Sequence, residues 1–245
     1  IKKLSDYAII TGHPTRFIGC PKTIDNDLAL TDHTPGYGSA AKYIGTSMKE
    51  IIRDGFCLEY EKGIVTINDM EEREPQIYLW QGDITRLAVK AIVNAANEQL
   101  LGCFLPNHKC IDNAIHTFAG IELRMACARM TEYMDMPEKT GVARMTYGFN
   151  LPASHVIHTV GPIVYDTVTD LEKEQLSSCY RSCLELANAY SLKSIAFCCI
   201  STGEFRFPNE LAAQIAIDTV RRYLKETNSK IQVVFNVFKD IDYDI

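Results

Sequence analysis

Hydrophobic and polar positions divide the chain into short apolar runs that alternate with longer amphipathic stretches. Residues 77–80 (IYLW), 91–96, 142–147, 155–160 and 231–238 are short and mostly apolar, the pattern of strands in a sheet. Residues 194–200 (SIAFCCI) form a nearly continuous apolar run, which predicts a strand covered on both faces. Between these runs the period changes. Ile111, Ile115, Phe118, Leu123 and Cys127 keep helical spacing over 111 to about 130. Leu176, Cys179, Tyr180, Cys183, Leu184 and Ala187 do the same over 170–190, and a further helix is expected from Asn209, a natural N-cap. Strands alternating with helices from residue 77 onward predict an α/β fold, a three-layer α/β/α domain with a mixed, mostly parallel central sheet. Earlier, Pro21, Pro35 and Gly36 punctuate a loop, and Ser39 to Arg53 reads as a helix opened by small residues.

The chain has 245 residues, of which 47% are hydrophobic, enough for a substantial core in one or two domains. A net charge of −6 gives no basic footprint, so no nucleic-acid partner is expected. Nine cysteines, an odd number, argue against a disulfide framework and for reduced thiols, hence a cytoplasmic setting. No run of about 18 apolar residues predicts a membrane span.

Candidate chemistry gathers between the strand at 91–96 and the helix from 111. Cys103, His108 and Cys110 form a C-x4-H-x-C cluster. Two thiols and an imidazole so close together suit tetrahedral Zn²⁺, and three protein ligands leave a fourth position for water or substrate. The competing reading is that the cysteines are small hydrophobes. Asp112, at a helix start, could cap that helix or act in a site. Residues 201–208 (STGEFRFP) form a Gly-containing loop between a strand and a helix N-terminus, an arrangement that binds anions. His116 reads as packed or on the helix surface. His155 and His158, three apart, fall on opposite faces of a strand. Near the N-terminus, Asp25, Asp27 and Asp32 lie close to Lys22, either a solvated turn or groups for Mg²⁺, phosphate and general-base work.

NAAN, LLG, IDNAIH and AG, read together over 94–120, resemble the first ligand loop of macrodomains, with CFLPNHKC in place of the usual run of glycines. That replacement resembles the zinc-dependent branch of the family. The resemblance implies removal of ADP-ribose from mono-ADP-ribosylated proteins by cleavage of a glycosidic or ester bond at the distal ribose, with Zn²⁺ on Cys103, His108 and Cys110. It implies that Asp83 holds the adenine amine with Ile84 beside it, that Asn97 contacts the distal ribose, and that Asp112 holds the ribose or orients water. Ser201, Thr202, Gly203, Glu204, Phe205 and Arg206 would embrace the pyrophosphate. Arg206 stands where most members have glycine. A sirtuin-type ADP-ribosyltransferase is the implied counterpart, and a reader that binds ADP-ribose without cleaving it is the alternative.

Residues 19–27 (GCPKTIDND) and their surroundings resemble the catalytic segment of pyrophosphate-dependent phosphofructokinase, with Asp25 as base and Lys22 at phosphate. A phosphotransferase fragment working through Lys22 and Asp25 is the second alternative, against which stands the absence of the Gly-rich loop and the arginines that such a kinase needs. Residues 1–56 are therefore expected to be a non-catalytic and dispensable gene-fusion remnant, residues 57–75 a linker, and residues 76–245 the macrodomain.

Overall fold

The computed structural model describes residues 37–54, 63–105, 108–134 and 136–245. Lys22, Asp25, Asp27 and Asp32 lie outside the described residues. The chain divides into two compact units, Ile1–Tyr43 and Ile44–Ile245. The elements below belong to the second, except that helix α1 (Tyr37–Asp54) begins before it.

Seven strands form one sheet: β1 (Glu71–Glu74), β2 (Ile77–Gln81), β3 (Ala91–Ala96), β4 (Ala143–Tyr147), β5 (His155–Val160), β6 (Ser194–Phe197) and β7 (Gln232–Val237). Their order is β1-β2-β7-β6-β3-β5-β4, with the inner pairs parallel and the two edge strands, β1 and β4, antiparallel to their neighbours. The sheet is thus mixed and mostly parallel, as the alternation of elements predicts. Every residue of β6, and all but the first of β5, is buried. Buried on both faces, these strands need helices above and below.

Those helices are α2 (Ile111–Ala119), α3 (Ile121–Thr131), α4 (Asp170–Ala189) and α5 (Asn209–Thr227), with a short C-terminal turn, α6 (Asp240–Tyr243). A capping box opens α4: the Glu172 carboxylate accepts from the backbone N–H of Thr169 at 2.8 Å. Leu176, Cys179, Cys183 and Leu184 are fully buried against the sheet, each such apolar side chain contributing about 1.5–3 kcal/mol. Among the described residues no helix is long and apolar enough to cross a membrane.

Three local expectations change. The helix expected over 111 to about 130 is two helices, broken at Gly120, whose φ of +86° is a conformation that favours glycine. The charged run Asp69–Glu74, read as part of a linker, carries the edge strand β1, and Val65 bridges to Leu87, so the described part of 57–75 pairs with the domain. Asn209 is not the cap of α5. Pro208 holds that place and the Asn209 amide donates to Asp242 instead.

Candidate active site

Adjacent parallel strands deliver two loops to one edge of the sheet. Ala91 and Ile92 of β3 lie beside Ile195 and Ala196 of β6, so the loop 97–110 and the loop 198–208 emerge side by side. Gly82, just after β2, donates its N–H to Val237 O at 2.9 Å and brings Asp83 to the same edge. Carboxyl ends of parallel strands are where α/β sheets place ligands.

The first loop is folded around helix α2. Cys110 is its N-cap, Sγ accepting from the Asn113 N–H at 3.4 Å. The Asn113 side chain donates to Cys103 O at 3.3 Å and Leu105 O at 3.1 Å, pinning both arms of the loop. Cys103 Sγ then lies 3.6 Å from His108 Nδ1, and the donor atoms of Cys103, His108 and Cys110 all fall within 4.8 Å of one another. Ligands of a tetrahedral zinc sit about 3.5 Å apart at Zn–S and Zn–N distances of about 2.3 and 2.0 Å. Spacing and donor chemistry therefore both fit zinc. Burial pushes the Cys110 thiol up to about 12 against the opposing Asn113 N–H, so a dication would have to displace its proton. On its other side His108 Nε2 is 3.6 Å from Glu204 Oε1, which brings the two loops together.

Beneath the loop lies a buried polar network. Asp112 does not cap α2. It is 4% exposed and accepts from Asn94 Nδ2 of β3 at 2.7 Å. Burial raises its pKa to about 6, with the Asn94 bond opposing. Asn94 Nδ2 also lies 3.2 Å from His158 Nδ1, and Thr146 Oγ1 shares a 2.9 Å hydrogen bond with His158 Nε2. Burial holds His158 down to about 4 and His116 well below the usual range. His116 is packed, not on the surface. Its Nε2 is 3.5 Å from Asp112 Oδ1, too poorly aligned to bond. His116, Cys127 and His158 also bring their donor atoms within 4.8 Å of one another, but Asn94 and Thr146 already occupy both nitrogens of His158. That trio is a polar core beneath the site.

The other predicted residues take varied parts. Asn97 folds onto its own loop, Oδ1 accepting from the Gln99 N–H at 3.1 Å and Nδ2 donating to Gly102 O at 3.4 Å. Asp83 Oδ1 accepts from the Thr85 N–H at 3.0 Å and the Thr85 hydroxyl at 2.7 Å, capping a single 3₁₀ turn. Ile84 has its side chain in the core. In the second loop the Thr202 hydroxyl donates to Cys199 O, the Arg206 N–H to Gly203 O and the Phe207 N–H to Ser201 O, while Phe205 O accepts from Val164 after β5. Ser201 Oγ is buried and makes no hydrogen bond among the described residues. Arg206 is exposed with φ +59°, which is why glycine suits that position. Nothing in the spacing of the sequence marks Thr146 or Arg124 as parts of the buried polar network. A signal was present for Asn94, a polar residue inside an otherwise apolar strand.

Residues 93–216 match the family model described as "Macro domain". The chain is 50% identical over 184 residues to a protein of Staphylococcus aureus (strain MSSA476) named Protein-ADP-ribose hydrolase, covering 73% of this chain and 69% of that one. It is 53% identical over 165 residues to a protein of the same name from Treponema medium, covering 67% and 63%. Among solved structures, the Oceanobacillus iheyensis macrodomain with ADP superposes at a TM-score of 0.64 and 38% identity, covering 71% of this chain and 90% of that one.

Proposed function

The chain belongs to the Macro domain family, and on that premise we propose that it is a hydrolase that removes ADP-ribose from modified protein side chains, with Zn²⁺ held by Cys103, His108 and Cys110. The observation that carries this reading is the donor trio within 4.8 Å on the loop that follows β3, in a chain 50% identical over 184 residues to a protein named for that activity. A zinc ion there would polarise a ribose hydroxyl or a water and lower its pKa towards neutrality.

The rest falls to the chain's own side chains. Asp83 offers a carboxylate to the adenine amine, and the backbone of Ile84 follows it. Loop residues Ser201 to Arg206 turn tightly and stand before the N-terminus of α5, where backbone N–H groups favour the pyrophosphate. The Ser201 hydroxyl, buried without a partner among the described residues, is a donor waiting for an acceptor. Asn97 shapes the turn that presents the distal ribose. Asp112, with its pKa raised to about 6, is ionised at neutral pH yet basic enough to take a proton from water as that water attacks the sugar carbon. As the bond from that carbon to the protein side chain breaks, the side chain takes this proton from Asp112, and ADP-ribose leaves with the hydroxyl of the water. A mono-ADP-ribosyltransferase, of the sirtuin type in this reading, would supply the substrate.

The test is release of ADP-ribose from a mono-ADP-ribosylated protein by the full chain and by Asp112→Asn. Turnover by the first and a loss of about 10²-fold or more in the second fits a general base. Binding of ADP-ribose with no turnover identifies a reader and contradicts the proposal.

A further inference from the structure

Helix α1 lies outside the residues that match the family, yet one of its faces reaches the site. That face is polar: Thr46, Ser47 and Glu50, at helical spacing, are buried, while Ile44 is exposed. Glu50 is fully buried and meets Arg124 of α3, which is 2% exposed. Arg124 Nε donates to Glu50 Oε2 at 3.0 Å and Nη2 donates to Oε1, a two-pronged pair. The remaining nitrogen, Nη1, donates to Leu101 O, and the guanidinium lies 4.3 Å from the centroid of the Phe104 ring. The Thr46 hydroxyl donates to Phe104 O at 3.4 Å. Leu101 and Phe104 bracket Cys103.

A guanidinium is a rigid planar fork, so two bonds to one carboxylate fix the direction of its other donors. The Glu50 carboxylate thereby sets where Nη1 points, and Nη1 holds the backbone carbonyl two residues before Cys103. A buried arginine left without its carboxylate would seek other partners and release that carbonyl.

We propose that Glu50 is a positioning residue: through Arg124 it fixes the Leu101–Phe104 backbone, and so the distal-ribose end of the site, making helix α1 a working part of the domain. The inference rests on the function proposed above for what that loop contacts.

The test uses the full chain and two variants, R124K and the apolar pair E50L/R124M. R124K keeps a cation beside Glu50 but loses the fork. E50L/R124M removes both charges of this pair together, the change a buried ion pair tolerates best, and should stay folded. The readouts are calorimetric affinities for ADP, which lacks the distal ribose, and for ADP-ribose, with kcat of hydrolysis beside them. Expected in both variants is ADP binding within about twofold of the parent, ADP-ribose binding weakened about tenfold or more, and kcat reduced by at least that factor. Should E50L/R124M fail to fold, R124K alone decides. ADP and ADP-ribose affinities that stay unchanged, or that fall in parallel, would overturn the proposal. A parent chain that binds ADP-ribose without cleaving it would sink the hydrolase reading, while the ratio of the two affinities would still decide the role of Glu50.

Discussion

Asn94 Nδ2 donates to Asp112 Oδ1 at 2.7 Å, joining the middle of strand β3 to the first turn of helix α2 inside the core. This bond is what a buried carboxylate needs to stay usable, since burial alone pushes Asp112 up and the Asn94 bond opposes it. Asn94→Leu should therefore raise the Asp112 pKa above about 6 and shift the acid limb of the activity profile to higher pH. A lost hydrogen bond to a charged group should also cost about 1.5–3 kcal/mol at pH 8 by urea unfolding. An unshifted profile would remove Asn94 from this role.

His158 gives the fold an acid sensitivity. Fully buried, it titrates near 4 in the folded chain and near 6.5 when unfolded. The unfolded chain takes up the proton first, so this contribution is complete above pH 6.5 and drains as pH falls towards 4. The loss amounts to about 3 kcal/mol at most. His116, also held down by burial, acts in the same direction, whereas Asp112, raised to about 6, opposes over its own window. His158→Phe should flatten the difference in unfolding free energy between pH 7.5 and pH 5. An equal pH dependence in parent and variant would assign the sensitivity elsewhere.

Much of this architecture is legible in the sequence because the apolar period is. The runs at 77–80, 91–96, 155–160 and 194–200 all contain strands, and the loops after β3 and β6 lie where strand ends predict them. β1 is not legible, since an exposed edge strand of Glu and Arg carries no alternation of apolar and polar residues. The break at Gly120 is hidden because a single glycine is tolerated within a helix. Asn94, Asp112 and His158 meet only through the parallel register that sets Asn94 beside His158. Least legible is Glu50: nothing in the helical pattern or the kinase resemblance of residues 1–56 marks it as the residue buried against Arg124.

Gly102 is a tight point of the first loop. Its φ is +78°, and a Cβ there would lie 2.7 Å from the buried His116 ring. Gly102→Ala should destabilise the chain by about 1–3 kcal/mol through overpacking and strain and weaken ADP-ribose binding with it. A variant with parental melting temperature and affinity would show that the loop yields at no cost.

Asp83 combines two tasks, capping a turn through Oδ1 and, in the proposed function, accepting from adenine. Asp83→Ala should weaken ADP-ribose binding about ten- to a hundredfold, as expected for one hydrogen bond to a charged acceptor worth about 1.5–3 kcal/mol. Calorimetry with AMP should report a loss of the same size, because AMP retains the adenine. Unchanged affinity for both ligands would take Asp83 out of the site.

Zinc dependence is tested most directly by ADP-ribose release measured on one sample of the 245-residue chain before chelation, after chelation and after Zn²⁺ is restored, with metal content determined at each stage. Expected are one zinc per chain at the start, loss of hydrolysis with the metal, and recovery on adding Zn²⁺, because Cys103, His108 and Cys110 remain in place. His108→Ala should behave like the chelated protein. Full activity in a demonstrably metal-free chain would contradict zinc dependence.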